Sequence, residues 1–65
     1  MCLSTVYRNK MEADAVVMRN VMRIDCKDGC VILTDLMDRQ VTIEGQLKEA
    51  NLVDGYVIVE QPIAS

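Results

Sequence analysis

The chain has 65 residues, 51% of them hydrophobic and 26% charged, with a formal net charge of −3. A chain this short buries only about 60% of the surface its unfolded form exposes, so its core is marginal, and help from a disulfide, a metal or a second copy is expected. It contains no histidine, which excludes Ser-His and Cys-His nucleophilic sites and every histidine-bearing metal centre, and its acidic balance argues against a dedicated binder of nucleic acid or anionic membranes.

Residues Cys2–Arg8 alternate loosely, Leu3, Thr5 and Tyr7 against Ser4 and Val6, and suit a first strand. Asn9–Asp14 is polar and reads as a loop. From Ala13 to Ile24 two readings compete. Ala13, Val17, Val21 and Ile24 fall at helical spacing, while Val16-Val17-Met18 reads as a short strand ending at Arg19-Asn20. The alternation of Met22, Ile24 and Cys26 favours the strand, and helix or strand stays open over residues 13–20.

Beyond this point the punctuation is regular. Asp28-Gly29 separates Val21–Lys27 from Cys30–Leu36, and Met37-Asp38-Arg39 breaks the chain before Gln40–Glu44, whose Val41 and Ile43 share a face. Gly45 permits a bend into Gln46–Leu52. Asp54-Gly55 then turns the chain into Tyr56–Glu60, which Pro62 closes. A two-residue Asp54-Gly55 turn pairs Leu52 with Val57 and Ala50 with Val59, all apolar. Asp28, Gly29, Asp54 and Gly55 are therefore structural turn residues, with the glycines supplying positive φ. Five or six short strands with glycine turns between them predict an all-β fold, a small antiparallel barrel or rolled sheet, as a single domain over residues 1–65.

The longest apolar run, Cys30–Leu33, is far short of the roughly 20 residues that span a bilayer. No secretory signal is visible at the start of the chain. Three cysteines, an odd number, fit a reducing compartment, so a cytoplasmic protein is expected. A two-residue Asp28-Gly29 turn sets Lys27 opposite Cys30 and Cys26 opposite Val31, which points the two thiols to opposite faces. A three-residue loop would bring Cys26 and Cys30 together and permit a bridge. The first register collects Ile24, Cys26, Val31 and Leu33 on one face and is favoured, with Cys26 as a small core hydrophobe and Cys30 as a thiol beside the turn.

Other residues read as structural. Met18 and Met22 share a face on alternating strands and serve as flexible filler in a core without phenylalanine. The acidic residues, Asp35 among them, are scattered over turns and exposed strand positions and form no acid/base pair. Lysines and arginines are equally dispersed, and only Tyr7 and Tyr56 are available to stack on bases. Nothing here marks an enzyme.

An initiator methionine followed at once by cysteine and a short strand, Met1-Cys2-Leu3-Ser4-Thr5-Val6-Tyr7, resembles the opening of the CooT family. The run Asp25-Cys26-Lys27-Asp28-Gly29-Cys30-Val31-Ile32-Leu33-Thr34-Asp35-Leu36 and the closing Tyr56-Val57-Ile58-Val59-Glu60 resemble the rest. Met37-Asp38 stands where an aromatic-glycine pair is expected, a departure that touches turn geometry. The resemblance implies a small Ni(II)-binding protein of the kind that accompanies carbon monoxide dehydrogenase maturation. Members have also carried an RNA-binding label, so an interaction module without metal is the alternative.

The chemistry of the first two residues suits the resemblance. With Met1 retained, the terminal amine, the Cys2 amide nitrogen and the Cys2 thiolate close fused chelate rings. With Met1 removed, the Cys2 amine and thiolate close one ring. Planar nitrogen and sulfur donors fit square-planar Ni(II) or Cu(II). One chain supplies too few donors, whereas two chains about a two-fold axis bring two thiolates and two nitrogens. The expected metal site is Cys2 with Met1, in a homodimer. Binding would release protons and weaken as pH falls.

Overall fold

The computed structural model describes residues 3–61. Strand β1 (Ser4–Arg8) leads through a single 3-10 turn at Ala13–Ala15 into the long strand β2 (Val16–Lys27). Strands β3 (Cys30–Asp35), β4 (Gln40–Glu44), β5 (Gln46–Asn51) and β6 (Tyr56–Glu60) follow. They form one six-stranded sheet in the order β4-β3-β2-β1-β6-β5. Neighbours are antiparallel except β1 and β6, which run parallel from Thr5↔Tyr56 to Arg8↔Val59, so the sheet departs here from the purely antiparallel expectation. The two outer strands, β4 and β5, are joined through Gly45 alone, yet no ladder connects them. The architecture is the rolled sheet of the two alternatives, not a closed barrel.

The ambiguous segment is strand from Val16 onward, after the single 3-10 turn at Ala13–Ala15. β2 pairs with β1 along its first half (Tyr7↔Val16, Val6↔Met18, Ser4↔Val21) and with β3 along its second, from Val21↔Asp35 to Lys27↔Cys30. Between the halves Asn20 takes a positive φ of 57°, and the register shifts on both sides of Val21. Each bulge inserts a residue and resets which face the following side chains take. Met18 consequently packs against the core, whereas Met22 is exposed. The expectation that both share a face fails at this kink.

Val6, Val21, Val31, Leu33, Ile43, Val57 and Val59 are buried, with Val17, Met18 and Ile24 packed against them. Every strand except β5 contributes. Burying each such aliphatic side chain contributes about 1.5–3 kcal/mol relative to exposure, so a core without aromatic rings depends on all of them.

Asp28 and Gly29 both have positive φ, 49° and 77°, as a two-residue hairpin turn requires. The register is the favoured one, Lys27↔Cys30 and Cys26↔Val31. Side chains alternate along a strand, so the thiols take opposite faces. Cys26 is nevertheless exposed, against the expectation of a core position. β1 covers only the first half of β2, and the hairpin tip that carries Cys26 overhangs it.

The β5–β6 connection also differs from expectation. Asn51 pairs with Tyr56 and Ala50 with Val57, so the loop has four residues, Leu52 to Gly55, and Leu52 is exposed. Asn51 organises it. Its Oδ1 accepts from Val53 N at 3.1 Å and Asp54 N at 2.9 Å, its Nδ2 donates to Asp54 Oδ2 at 3.0 Å, and its carbonyl accepts from Gly55 N at 2.9 Å. An asparagine that bonds its own downstream backbone competes with the tight turn. Gly55 keeps its structural role, with φ of 78°.

Candidate metal centre

Met1 and Cys2, the expected ligands, lie outside the described residues. What the structure positions is the place where they join the sheet. β1 enters between two neighbours, with Ser4 paired to Val21 of β2 and Thr5 N donating to the Gly55 carbonyl at 2.9 Å. The Leu3 carbonyl lies 3.5 Å from where a β-carbon on Gly55 would stand. Leu3 is thus set beside the β5–β6 loop.

The same level of the sheet carries the β3–β4 loop, because Val21 pairs with both Ser4 and Asp35. Leu36 N donates to the Asn20 carbonyl at 2.9 Å, which fixes the start of that loop against β2. Leu36 and Met37 follow, both exposed, and Met22 lies one residue beyond the Ser4–Val21 pair. On the other side of Leu3 stand Leu52 and Val53, the latter 97% exposed. Two loops therefore present apolar side chains at the end of the sheet where β1 begins. Turns are ordinarily rich in Gly, Pro, Asn, Asp and Ser, and the adjacent pairs Leu36-Met37 and Leu52-Val53 are the signal in the sequence that reveals this surface.

Asp35 holds the β3–β4 loop in place. It is buried, not one of the solvated acids expected from the sequence, and its Oδ1 accepts from Met37 N and Arg39 N, both at 2.9 Å. Its Oδ2 accepts from Arg39 Nε at 2.8 Å. The hydrogen bond from the Arg39 backbone leads the causes that hold its carboxyl below the ordinary carboxylate range, with the Arg39 side chain and the Met37 amide reinforcing it against the opposing effect of desolvation. At the neighbouring loop, Tyr56 donates its hydroxyl hydrogen to Glu49 Oε2, and this bond raises the phenol above its usual value.

The remaining thiols are elsewhere. Cys26 is five residues along β2 from Val21, roughly 16 Å at the rise of an extended strand, and Cys30 is at the same hairpin tip. Asp28 and Gly29 form that tip, far from Leu3, while Asp54 and Gly55 lie beside it. Among the described residues no group of three or more His, Cys, Asp or Glu side chains converges in a way that could hold a metal ion. No helix among the described residues is long and apolar enough to cross a membrane.

These features define a small rolled-sheet protein in which two loops frame the start of the first strand with apolar side chains. The chain belongs to the CooT family, since the family model described as CO dehydrogenase accessory protein CooT matches residues 1–60. The family is thus one of accessory proteins to CO dehydrogenase. A solved structure of a protein assigned as CooT from Carboxydothermus hydrogenoformans has the same fold, with a TM-score of 0.81 over 95% of this chain and 100% of that one. Its sequence is 14% identical, and the likeness is one of fold alone. No curated protein matches the chain in sequence.

Proposed function

We propose that this chain is a non-enzymatic Ni(II)-binding accessory protein. Two copies hold the ion between their Cys2 residues, with Met1 contributing nitrogen, for delivery to or storage for a nickel enzyme such as CO dehydrogenase. The observation that carries this reading is the position of Leu3. The residue from which Met1-Cys2 extends lies beside the β5–β6 loop that exposes Leu52 and Val53, at the end of the sheet where Met22, Leu36 and Met37 are exposed too. Exposed apolar patches on small proteins mark interaction sites, and methionine is enriched at interfaces. A second copy docked there brings two N-termini together, which completes a donor set that one chain lacks. Membership of an accessory family supports the same role.

A nickel titration of tag-free protein, followed by absorbance, tests the proposal with Cys2→Ser alongside. A thiolate-to-nickel charge-transfer band that saturates near half an ion per chain and is absent from the variant is the expected result. Retention of stoichiometric binding and the same spectrum in Cys2→Ser would refute it.

A further inference from the structure

β4 is an outer strand of the sheet, and among the described residues no strand pairs with its far side. The bonds at its two ends fix which backbone groups face that side. Asp35 N donates to the Arg39 carbonyl at 3.0 Å, and Gly45 N donates to the Gly29 carbonyl at 2.9 Å. Bonded and non-bonded pairs alternate along an antiparallel ladder. Val41 and Ile43 therefore bond to β3, and the N–H and C=O groups of Gln40, Thr42 and Glu44 point to the open side.

Nothing in β4 guards that row. Its pairing with β3 runs unbroken from Cys30↔Glu44 to Thr34↔Gln40. None of its residues has a positive φ, and it carries no Lys, Pro or Gly. The other outer strand is built differently, since β5 breaks register between Leu47 and Glu49, with Lys48 at the break. Bulges and lysines are common devices against strand addition. β5 has both and β4 has neither.

β4 is also its own antiparallel complement. Turned end for end about Thr42, the run Gln-Val-Thr-Ile-Glu sets Thr42 against Thr42, Val41 against Ile43 and Gln40 against Glu44. The outward-bonding residues then meet one another, and each such pair exchanges both its N–H···O bonds. Val41 lies on the core side, opposite the buried Leu33, yet is 37% exposed. Ile43 of a second copy would cover it. Thr–Thr and apolar pairs are favourable cross-strand neighbours, and the one charge, Glu44, meets an amide. A slip of one residue would turn the apolar side chains to the wrong face.

We propose that two copies of this chain pair edge to edge through β4, antiparallel about Thr42. A two-fold contact of this kind closes on itself. Five residues from each copy make a contact well below the roughly 800 Å² per partner of a stable interface. The pairing is therefore driven by concentration, open at micromolar chain and populated towards millimolar. β3 and β2 lie between β4 and β1, so a copy docked through its Leu3 end keeps this edge free. The inference stands on the strand edge and is independent of metal binding.

The test is amide hydrogen exchange of the metal-free full chain at about 20 µM and about 1 mM. Exchange at Gln40, Thr42 and Glu44 should slow about threefold at the higher concentration by mass action, while Val41 and Ile43 stay protected at both. Thr42→Lys should abolish the concentration effect, since like charges then stand opposite each other, and Thr42→Val should keep it. Gln40→Lys should strengthen it by facing Glu44 of the second copy, whereas Gln40→Glu should weaken it. Thr42 and Gln40 are exposed, so these variants should keep the wild-type spectrum away from β4. Cys2→Ser should behave as the wild type does. Exchange independent of concentration at the three amides, protection that falls on β5 instead, or survival of the effect in Thr42→Lys would each overturn the proposal. Equal weakening by Gln40→Lys and Gln40→Glu would overturn it through the register. Loss of the effect in Cys2→Ser would overturn it too, by making the N-termini the contact.

Discussion

Gly45 is packed so closely on Glu60 that a β-carbon there would stand 2.3 Å from the Glu60 carbonyl oxygen. Gly45 N also donates to the Gly29 carbonyl at 2.9 Å. One residue therefore meets the end of β6 and the tip of the β2–β3 hairpin while joining the two outer strands, and the roll of the sheet closes on it.

Gly45→Ala should accordingly be among the most damaging single substitutions. The φ of 151° is strained for any other residue, at about 1–3 kcal/mol, and the overlap lies with backbone, which cannot swing aside. In a domain of this size each kcal/mol lowers Tm by about 4–8 °C. Thermal unfolding followed by circular dichroism should show a loss of about 5–20 °C or no cooperative transition. A variant that melts with the wild type would contradict the packing.

Asp35 gives the fold a defined acid limit. Its carboxyl is held below its ordinary value in the folded chain, so the ionised form binds the fold better than the protonated one does. Its contribution is complete above the unfolded value of about 3.9 and is lost as pH falls through the lower folded value. Asp35→Asn should lower the urea midpoint at pH 7, and the gap from the wild type should narrow below about pH 4. A gap that stays constant down to acid unfolding would remove the ionised carboxylate from the explanation.

The strands and most of their turns were legible because their signals are local. Asp28-Gly29 between two β-branched runs admits little besides a two-residue turn, and the structure follows it residue for residue. The β5–β6 register escaped because Asn51, three residues before Asp54, offers its side chain to the loop backbone, and turn grammar centred on Asp-Gly ignores that competitor. Met22 escaped for a different reason. A bulge changes which face alternate residues take, and nothing in the run Arg19-Asn20-Val21 marks where the extra residue falls. In the sequence Asp35 looks like any solvated turn acid, because its burial depends on Arg39 folding back across the turn, a tertiary event. The proposed metal site lies outside the described residues and rests on chemistry alone, a thiol placed beside a terminal amine.

Cys26 and Cys30 should remain thiols under mild oxidation, since the observed register turns them to opposite faces. With a limiting alkylating reagent, peptide mapping should find Cys26, which is exposed, modified ahead of the half-buried Cys30. A Cys26–Cys30 disulfide in the folded protein would require the three-residue loop and would contradict the turn.

The proposed dimer makes its own demand on the two apolar loops. Leu52 and Val53 are 65% and 97% exposed in the single chain, so replacing them removes little from the monomer core. Leu52→Lys with Val53→Lys should leave Tm of dilute protein nearly unchanged, because such surface changes usually fall within about 0.5 kcal/mol. The pair would nonetheless set four like charges around the two-fold axis, two from each copy, in a surface that must desolvate on docking. Sedimentation should then report a monomer, and nickel binding should fall with it, since each chain keeps its Cys2 but loses the partner's. The matching change at the opposite end, Cys26→Ser, should affect neither quantity. If the double variant still sediments as a dimer with half an ion per chain, the copies meet through another surface; if it becomes monomeric and still binds a full ion per chain, one N-terminus is a sufficient ligand set and the shared site is wrong.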